Sequence, residues 1–189
     1  MQSAFEIVAI AASAGGLKAI STVLAGLPSD LPVAVVIVQH LAPKHRSLLV
    51  EILARVTALR VKQAVGGDRL TPGWVYVAPP DYHLLVNANG TLALTQTPLV
   101  HFLRPSADLL FNSVAVGYQD RAIAVVLSGT GTDGEQGVIA IKAQGGTVIA
   151  QDQSSADFFG MPHAAIATGQ VDFVLPLIEI APMLLTLVC

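Results

Sequence analysis

Phe5-Glu6-Ile7-Val8-Ala9-Ile10-Ala11-Ala12-Ser13-Ala14-Gly15-Gly16 carries an apolar run into a turn of small residues, and Leu17–Ala25 follows with the length of a helix. Val33–Gln39 is a second apolar run, closed by His40. Strand, tight turn, helix and strand make a βαβ unit, because two parallel strands need a crossover and a helix is the usual one. Runs that are apolar at almost every position alternate on neither face, so the sheet they form must be covered by helices on both sides.

The same rhythm continues through the chain. Trp74–Ala78, Ile123–Leu127, Thr147–Ala150 and Asp172–Leu175 read as further strands, and Lys44–Ala54, Ala107–Gly117 and Glu135–Ala143 as helices. Ser106 is placed to cap the helix at Ala107, since its hydroxyl can accept an early backbone N–H. His83–Val86 and Thr91–Thr95 flank Asn87-Ala88-Asn89-Gly90, whose Asn and Gly residues suit a tight turn, so this segment reads as a β-hairpin. The apolar stretch 173–189 is interrupted by Pro176, Glu179 and Pro182 and reads as a terminal helix packed on the domain. These features predict one α/β domain over residues 1–189: three layers, a doubly wound and mostly parallel sheet, and a small β-hairpin.

Composition narrows the function classes. Of 189 residues 53% are hydrophobic and only 12% charged, which demands a large buried core and argues against disorder. The net charge of -3 is spread along the chain without a basic patch, so nucleic acid is not the expected partner. Cys189 is the one cysteine, which leaves no intramolecular disulfide and no multi-cysteine metal site, in keeping with a reducing cytoplasm. No secretory leader pattern and no apolar run of ~18 residues is present, so no membrane insertion is expected.

In open parallel sheets ligands bind beyond the carboxyl ends of the strands, so residues that end apolar runs are the ones to inspect. The first is Ser13, on a turn whose neighbours Ala14, Gly15 and Gly16 leave the first N–H groups of a helix open to a negative charge. That turn suits either an oxyanion or a nucleotide phosphate. The glycines lack G-x-G-x-x-G spacing, the second strand ends in Gln39-His40 instead of an acid, and no Gly-Lys-Ser or Gly-Lys-Thr occurs. The second is His40, whose imidazole can take a proton from a serine hydroxyl and return it to a leaving group. His45, His83, His101 and His163 sit in a helix start, the hairpin, a loop and a Met-Pro context. The third is Asp133, in Ser128-Gly129-Thr130-Gly131-Thr132-Asp133-Gly134, which could orient an imidazole or cap a helix. Asp152 and Asp157 also follow a strand, and spacing alone does not choose among the three acids.

Taken in order, Ala12-Ser13-Ala14-Gly15-Gly16, Val38-Gln39-His40, Val77-Ala78-Pro79-Pro80, Arg104-Pro105-Ser106-Ala107-Asp108, Leu127–Gly134 and Phe159-Gly160-Met161-Pro162 resemble the catalytic domain of the chemotaxis protein-glutamate methylesterases over nearly the whole chain. The resemblance implies Ser13 as nucleophile, His40 as general base and Asp133 as the acid, with an oxyanion site at Ala14, Gly15, Gly16 and Thr130. It implies hydrolysis of γ-glutamyl methyl esters on cytoplasmic helices of chemoreceptors, glutamine deamidation as a second activity, a cytoplasmic location, and no metal or organic cofactor. Lys44, Arg46, Arg104 and Met161 are the residues expected to meet the substrate, the first two through attraction to a glutamate-rich helix. Ala11 and Ala14 stand where many relatives have glycine and threonine. Such domains commonly follow a phosphorylatable receiver domain or are fused to a methyltransferase, whereas this sequence begins almost at the nucleophile strand, so the expectations are control by a separate response regulator or methyltransferase, a constitutively active domain, or one piece of a larger assembly. Two rival readings are a non-catalytic binding module of this fold at a receptor array and a hydrolase of another protein ester or amide.

Overall fold

The computed structural model describes residues 5–40 and 47–189. Seven strands form one wholly parallel sheet: β1 (Ile7–Ala12), β2 (Ala34–Gln39), β3 (Arg60–Gln63), β4 (Trp74–Val77), β7 (Ala122–Val126), β8 (Thr147–Gln151) and β9 (Phe173–Leu175). The spatial order is β3-β4-β2-β1-β7-β8-β9. The chain therefore goes from β1 to β2 and on to the edge strand β3, returns to fill β4 between β2 and β3, and then crosses to the other side of β1 and builds outward through β7, β8 and β9. β5 (His83–Val86) and β6 (Leu92–Thr95) form the separate antiparallel hairpin, closed by the turn at residues 87–90.

Among the described residues six α-helices cover the sheet: α1 (Gly16–Ala25), α2 (Leu49–Val56), α3 (Ala107–Tyr118), α4 (Glu135–Ala143), α5 (Gly160–Ala167) and α6 (Leu177–Val188). The central strands β1, β2 and β7 are buried at every position. One core joins Val8, Ile10, Val35 and Ile37 to α1, α2 and α6, and the other joins Ala9, Val36 and Val126 to α3, α4, α5 and the hairpin. Burial at 25 cal/mol per Å² on both faces is what a chain this poor in charge can draw upon. The three-layer, doubly wound expectation is thus met, with every strand pair of the main sheet parallel.

Four details differ from the sequence reading. β3 was not foreseen, because Arg60, Val61, Lys62 and Gln63 lack an apolar run; as an edge strand it turns charged side chains outward, and Arg60 lies over the Trp74 ring at 5.5 Å. α5 was not foreseen either, since Pro162 marks a break in most contexts; it occupies the first turn, where a helix needs no N–H. The stretch 173–189 divides at Pro176 into β9 and α6, and α6 packs Ile180, Ala181 and Leu184 inward. The second helix spans Leu49–Val56 instead of Lys44–Ala54, with Leu49 N–H bonded to Ser47 Oγ; Lys44, His45 and Arg46 lie outside the described residues.

Candidate active site

The ladder between β1 and β2 sets the first relation. Ala12 pairs with Gln39, and His40 N–H still donates to the Ala12 carbonyl at 3.1 Å, so Ser13 and His40 are the next residues on adjacent strands. On its other side Ser13 N–H donates to the Ser128 carbonyl at 2.9 Å, which ties the turn to the end of β7. Ser13 thus stands where the strand order reverses, the crevice in which doubly wound sheets place their ligands. Gly15 makes the turn by taking φ +73°, and Ser128 Oγ donates to the Ala14 carbonyl at 2.8 Å beneath it.

His40 and Asp133 are brought together. The imidazole Nε2 lies 2.8 Å from Asp133 Oδ2, with side-chain exposures of 8% and 0%. Nδ1 is buried without a partner among the described residues, which leaves it as the nitrogen able to accept a proton. Asp152 instead binds Ser154 and Ser155, and Asp157 pairs with Lys18, so neither is the partner of His40.

Asp133 does cap a helix, but not its own. Its Oδ2 accepts Ala107 N–H at 2.6 Å, and its Oδ1 accepts Asp108 N–H at 3.1 Å and Ser106 Oγ at 2.8 Å. These bonds satisfy the first donors of α3 and put the carboxylate at the positive end of that helix. Burial pushes the Asp133 carboxyl up, but the His40 and backbone N–H bonds and the His40 charge outweigh it and hold the group below its ordinary value. An ionised Asp133 fixes a proton on Nε2 and so keeps Nδ1 free as a base.

Asp108 returns the arrangement. Its Oδ1 accepts Gly134 N–H at 3.0 Å and Gly137 N–H at 2.8 Å at the start of α4. His83, buried in the hairpin, accepts Ser106 N–H on Nδ1 at 3.2 Å and meets the Pro98 carbonyl through Nε2 at 3.1 Å. The sequence reading missed Ser106 as a ligand of Asp133, and missed Asp108 and His83. The motif Arg104–Asp108 was visible, but only the fold brings it to residue 133.

The expected oxyanion donors separate. The N–H groups of Ala14, Gly15 and Thr130 have no partner among the described residues. Gly16 N–H is spent on the Ser13 carbonyl at 2.8 Å, and this residue is glycine because a Cβ there would strike the Gln39 amide. Two expected substrate contacts have partners within the protein. Arg104 donates through Nε and Nη2 to Asp81 Oδ1 and through Nη1 to the carbonyls of Gln96 and Thr97, so all three nitrogens are already engaged. Met161 is 1% exposed and packs beneath Gly129, which in turn lies on the Ser13 Cβ, so it supports the turn from within. Beside His40 a cavity of about 150 Å³ is lined by Asp81, Leu99, Phe102, Leu103, Arg104 and Pro105. Phe102, at φ +63° and 93% exposed, is a rim residue that nothing in its neighbours' sequence marked. No group of three or more metal-ligating side chains occurs among the described residues, and no described helix is long and apolar enough to cross a membrane.

Comparison with known proteins gives a consistent answer. The profile of the family described as CheB methylesterase matches residues 8–184. A Moorella thermoacetica protein named protein-glutamate methylesterase/protein-glutamine glutaminase is 42% identical over 187 residues, which is 97% of this chain and 44% of that protein. A Caulobacter vibrioides protein of the same name, numbered 2, is 40% identical over 94% of this chain and 52% of its own length. A Leptospira interrogans relative, provisionally named for the same two activities, is 38% identical over 97% of this chain and 95% of its own. The chain thus spans about half the length of the first two and nearly all of the third. The crystal structure of the Thermotoga maritima CheB methylesterase catalytic domain superposes with a TM-score of 0.94 at 37% identity, covering 97% of this chain and 99% of that one.

Proposed function

Since the chain belongs to the CheB methylesterase family, we propose that it is a serine hydrolase that cleaves γ-glutamyl methyl esters of chemoreceptors and releases methanol. The observation that carries the reading is the buried His40–Asp133 pair at 2.8 Å, with Nδ1 left unpartnered at the strand end next to Ser13.

In this mechanism Ser13 Oγ attacks the ester carbonyl carbon as its proton passes to His40 Nδ1. The carbonyl oxygen becomes an oxyanion, met by the free N–H groups of Ala14, Gly15 and Thr130. His40 returns the proton to the departing methoxide, and methanol leaves an acyl group on Ser13. Water then attacks that acyl carbon as its proton passes to His40, and His40 returns that proton to the departing Ser13 Oγ, which releases the glutamate side chain and restores the enzyme. A γ-carboxamide has the same carbonyl geometry, so deamidation of glutamine uses the same groups with ammonia as the leaving product. Each removed oxyanion donor is expected to lower turnover by about 10²–10³.

The substrate segment belongs to the cytoplasmic helices of the receptor, and the enzyme acts in that compartment. Leu99, Phe102 and Leu103 supply an apolar lip beside His40, suited to the non-reacting side chains around the target glutamate. Lys44 and Arg46 remain the residues proposed to attract a glutamate-rich helix. The groups of this mechanism all lie in one domain, and a response regulator or methyltransferase is the proposed partner for control.

The test is methanol release from methyl-labelled chemoreceptor by wild type and Ser13→Ala, with folding of both verified by circular dichroism. Release by the wild type that disappears in the variant supports the esterase and its nucleophile. A folded wild type that releases nothing across several receptors, with candidate regulators added, overturns it.

A further inference from the structure

Gln39 ends β2, is 6% exposed, and reaches across the end of the sheet instead of along it. Its Nε2 donates to the Ser13 carbonyl at 2.7 Å and to the His40 carbonyl at 3.2 Å. Its Oε1 is buried with no partner among the described residues and lies against Gly16. The opposite orientation of the amide would set Oε1 against two carbonyl oxygens, so these two carbonyls decide which end faces them.

The place of this amide matters. The last β1–β2 ladder bond is His40 N–H to the Ala12 carbonyl; beyond it Ser13 turns toward β7. No further backbone bond joins the two segments among the described residues, and the Gln39 amide is the side chain that bonds both. An unsatisfied buried oxygen is an expensive feature to keep, and a hydrocarbon side chain of the same length would avoid it. What a hydrocarbon would not supply is the two-donor bridge.

We infer that Gln39 is a positioning residue, whose Nε2 sets the spacing between the Ser13 turn and the His40 imidazole. It touches neither substrate nor reacting atoms. The inference rests on Ser13 and His40 being nucleophile and base, and displacement of such a pair by about 1 Å can cost 10²-fold in rate.

The experiment compares wild type, Gln39→Met and Gln39→Glu. Both variants keep the length of the side chain; the first loses both donors without adding charge, and the second faces the two carbonyls with oxygens. Two rates are read on each folded protein, checked by thermal unfolding: covalent labelling of Ser13 by a fluorophosphonate, and kcat and KM for methanol release. The expected result is a roughly 10–100-fold slower labelling and kcat with KM unchanged, larger for Gln39→Glu. A folded variant of either kind that labels and turns over at the wild-type rate overturns the inference, because a merely structural amide predicts that result. Variants that both fail to fold also overturn it, since the residue is then required for the fold. Labelled wild type without methanol release removes the proposed substrate alone and leaves the labelling rates to decide Gln39. Wild type that is not labelled at all removes both readings.

Discussion

Asp133 shows how much of a carboxylate's behaviour is set by its surroundings. A fully buried carboxylate would ordinarily take up a proton, yet this one is held below its ordinary value by bonds from His40, Ala107 and Asp108. A depressed folded value means that its contribution to stability is present above the ordinary carboxylate range and is lost as pH falls through the folded value. Asp133 therefore stays ionised throughout the range in which an imidazole changes charge. Asp133→Asn is expected to lower kcat about 10³–10⁴-fold with little change in KM, because an amide can offer its NH₂ to Nε2 and fix the other tautomer. Steady-state methanol release measures it, and a kcat within tenfold of wild type would mean that Nδ1 does not need this partner. The acid itself could not be chosen from spacing, since Asp133, Asp152 and Asp157 all follow strands; what separates them is a bond to a residue 93 positions away.

At the next level, α3 and α4 exchange their aspartates. Asp133, just before α4, receives the first N–H groups of α3, and Asp108, in the first turn of α3, receives those of Gly134 and Gly137. The exchange places two carboxylates close together. Burial raises the Asp108 carboxyl, the charge of Asp133 adds to this, and the bonds from Gly137 and Gly134 and the His101 charge offset it only in part. A raised folded value makes the wild type lose stability as pH climbs from the ordinary carboxylate value through the folded one. Asp108→Asn keeps an oxygen for the two glycine amides and removes that loss. Its melting temperature should rise relative to wild type as pH goes from acid to neutral; a variant less stable at pH 7 would show that the charge is needed. The helices themselves were legible, and Ser106 was foreseen as the cap of α3; its hydroxyl accepts Leu109 N–H at 3.4 Å. That a second residue, from the loop before another helix, shares the cap was not legible, because capping patterns are local and this one is not. The edge strand β3 and the helix α5 escaped for the related reason that sheet pairing and core packing, not their own periodicity, define them.

Across the whole molecule, the pattern of apolar runs was enough to expect a doubly wound parallel sheet, since strands without a polar face have few other places to go. The order of the strands was not written in those runs, and the order is what puts Ser13 at the reversal point between β1 and β7. Phe111, on α3, joins this architecture to the site: it is fully buried in the core and packs against Gly134 and Gly137. Phe111→Ala is expected to cost about 3–5 kcal/mol in urea unfolding. A loss below about 1 kcal/mol would show that the α3–α4 seam closes over the cavity. The strand order also has a consequence in time. β1 and β2, leading into Ser13 and His40, are the first of these strands to be translated, whereas β7, which completes the sheet on the other side of β1, and the loop bearing Asp133 follow about a hundred residues later. At ribosomal speeds the interval is on the order of ten seconds. During it the nascent chain carries a serine and an imidazole without the acid that pairs with that imidazole in the fold, so under the proposed mechanism no base is oriented until residue 133 has emerged.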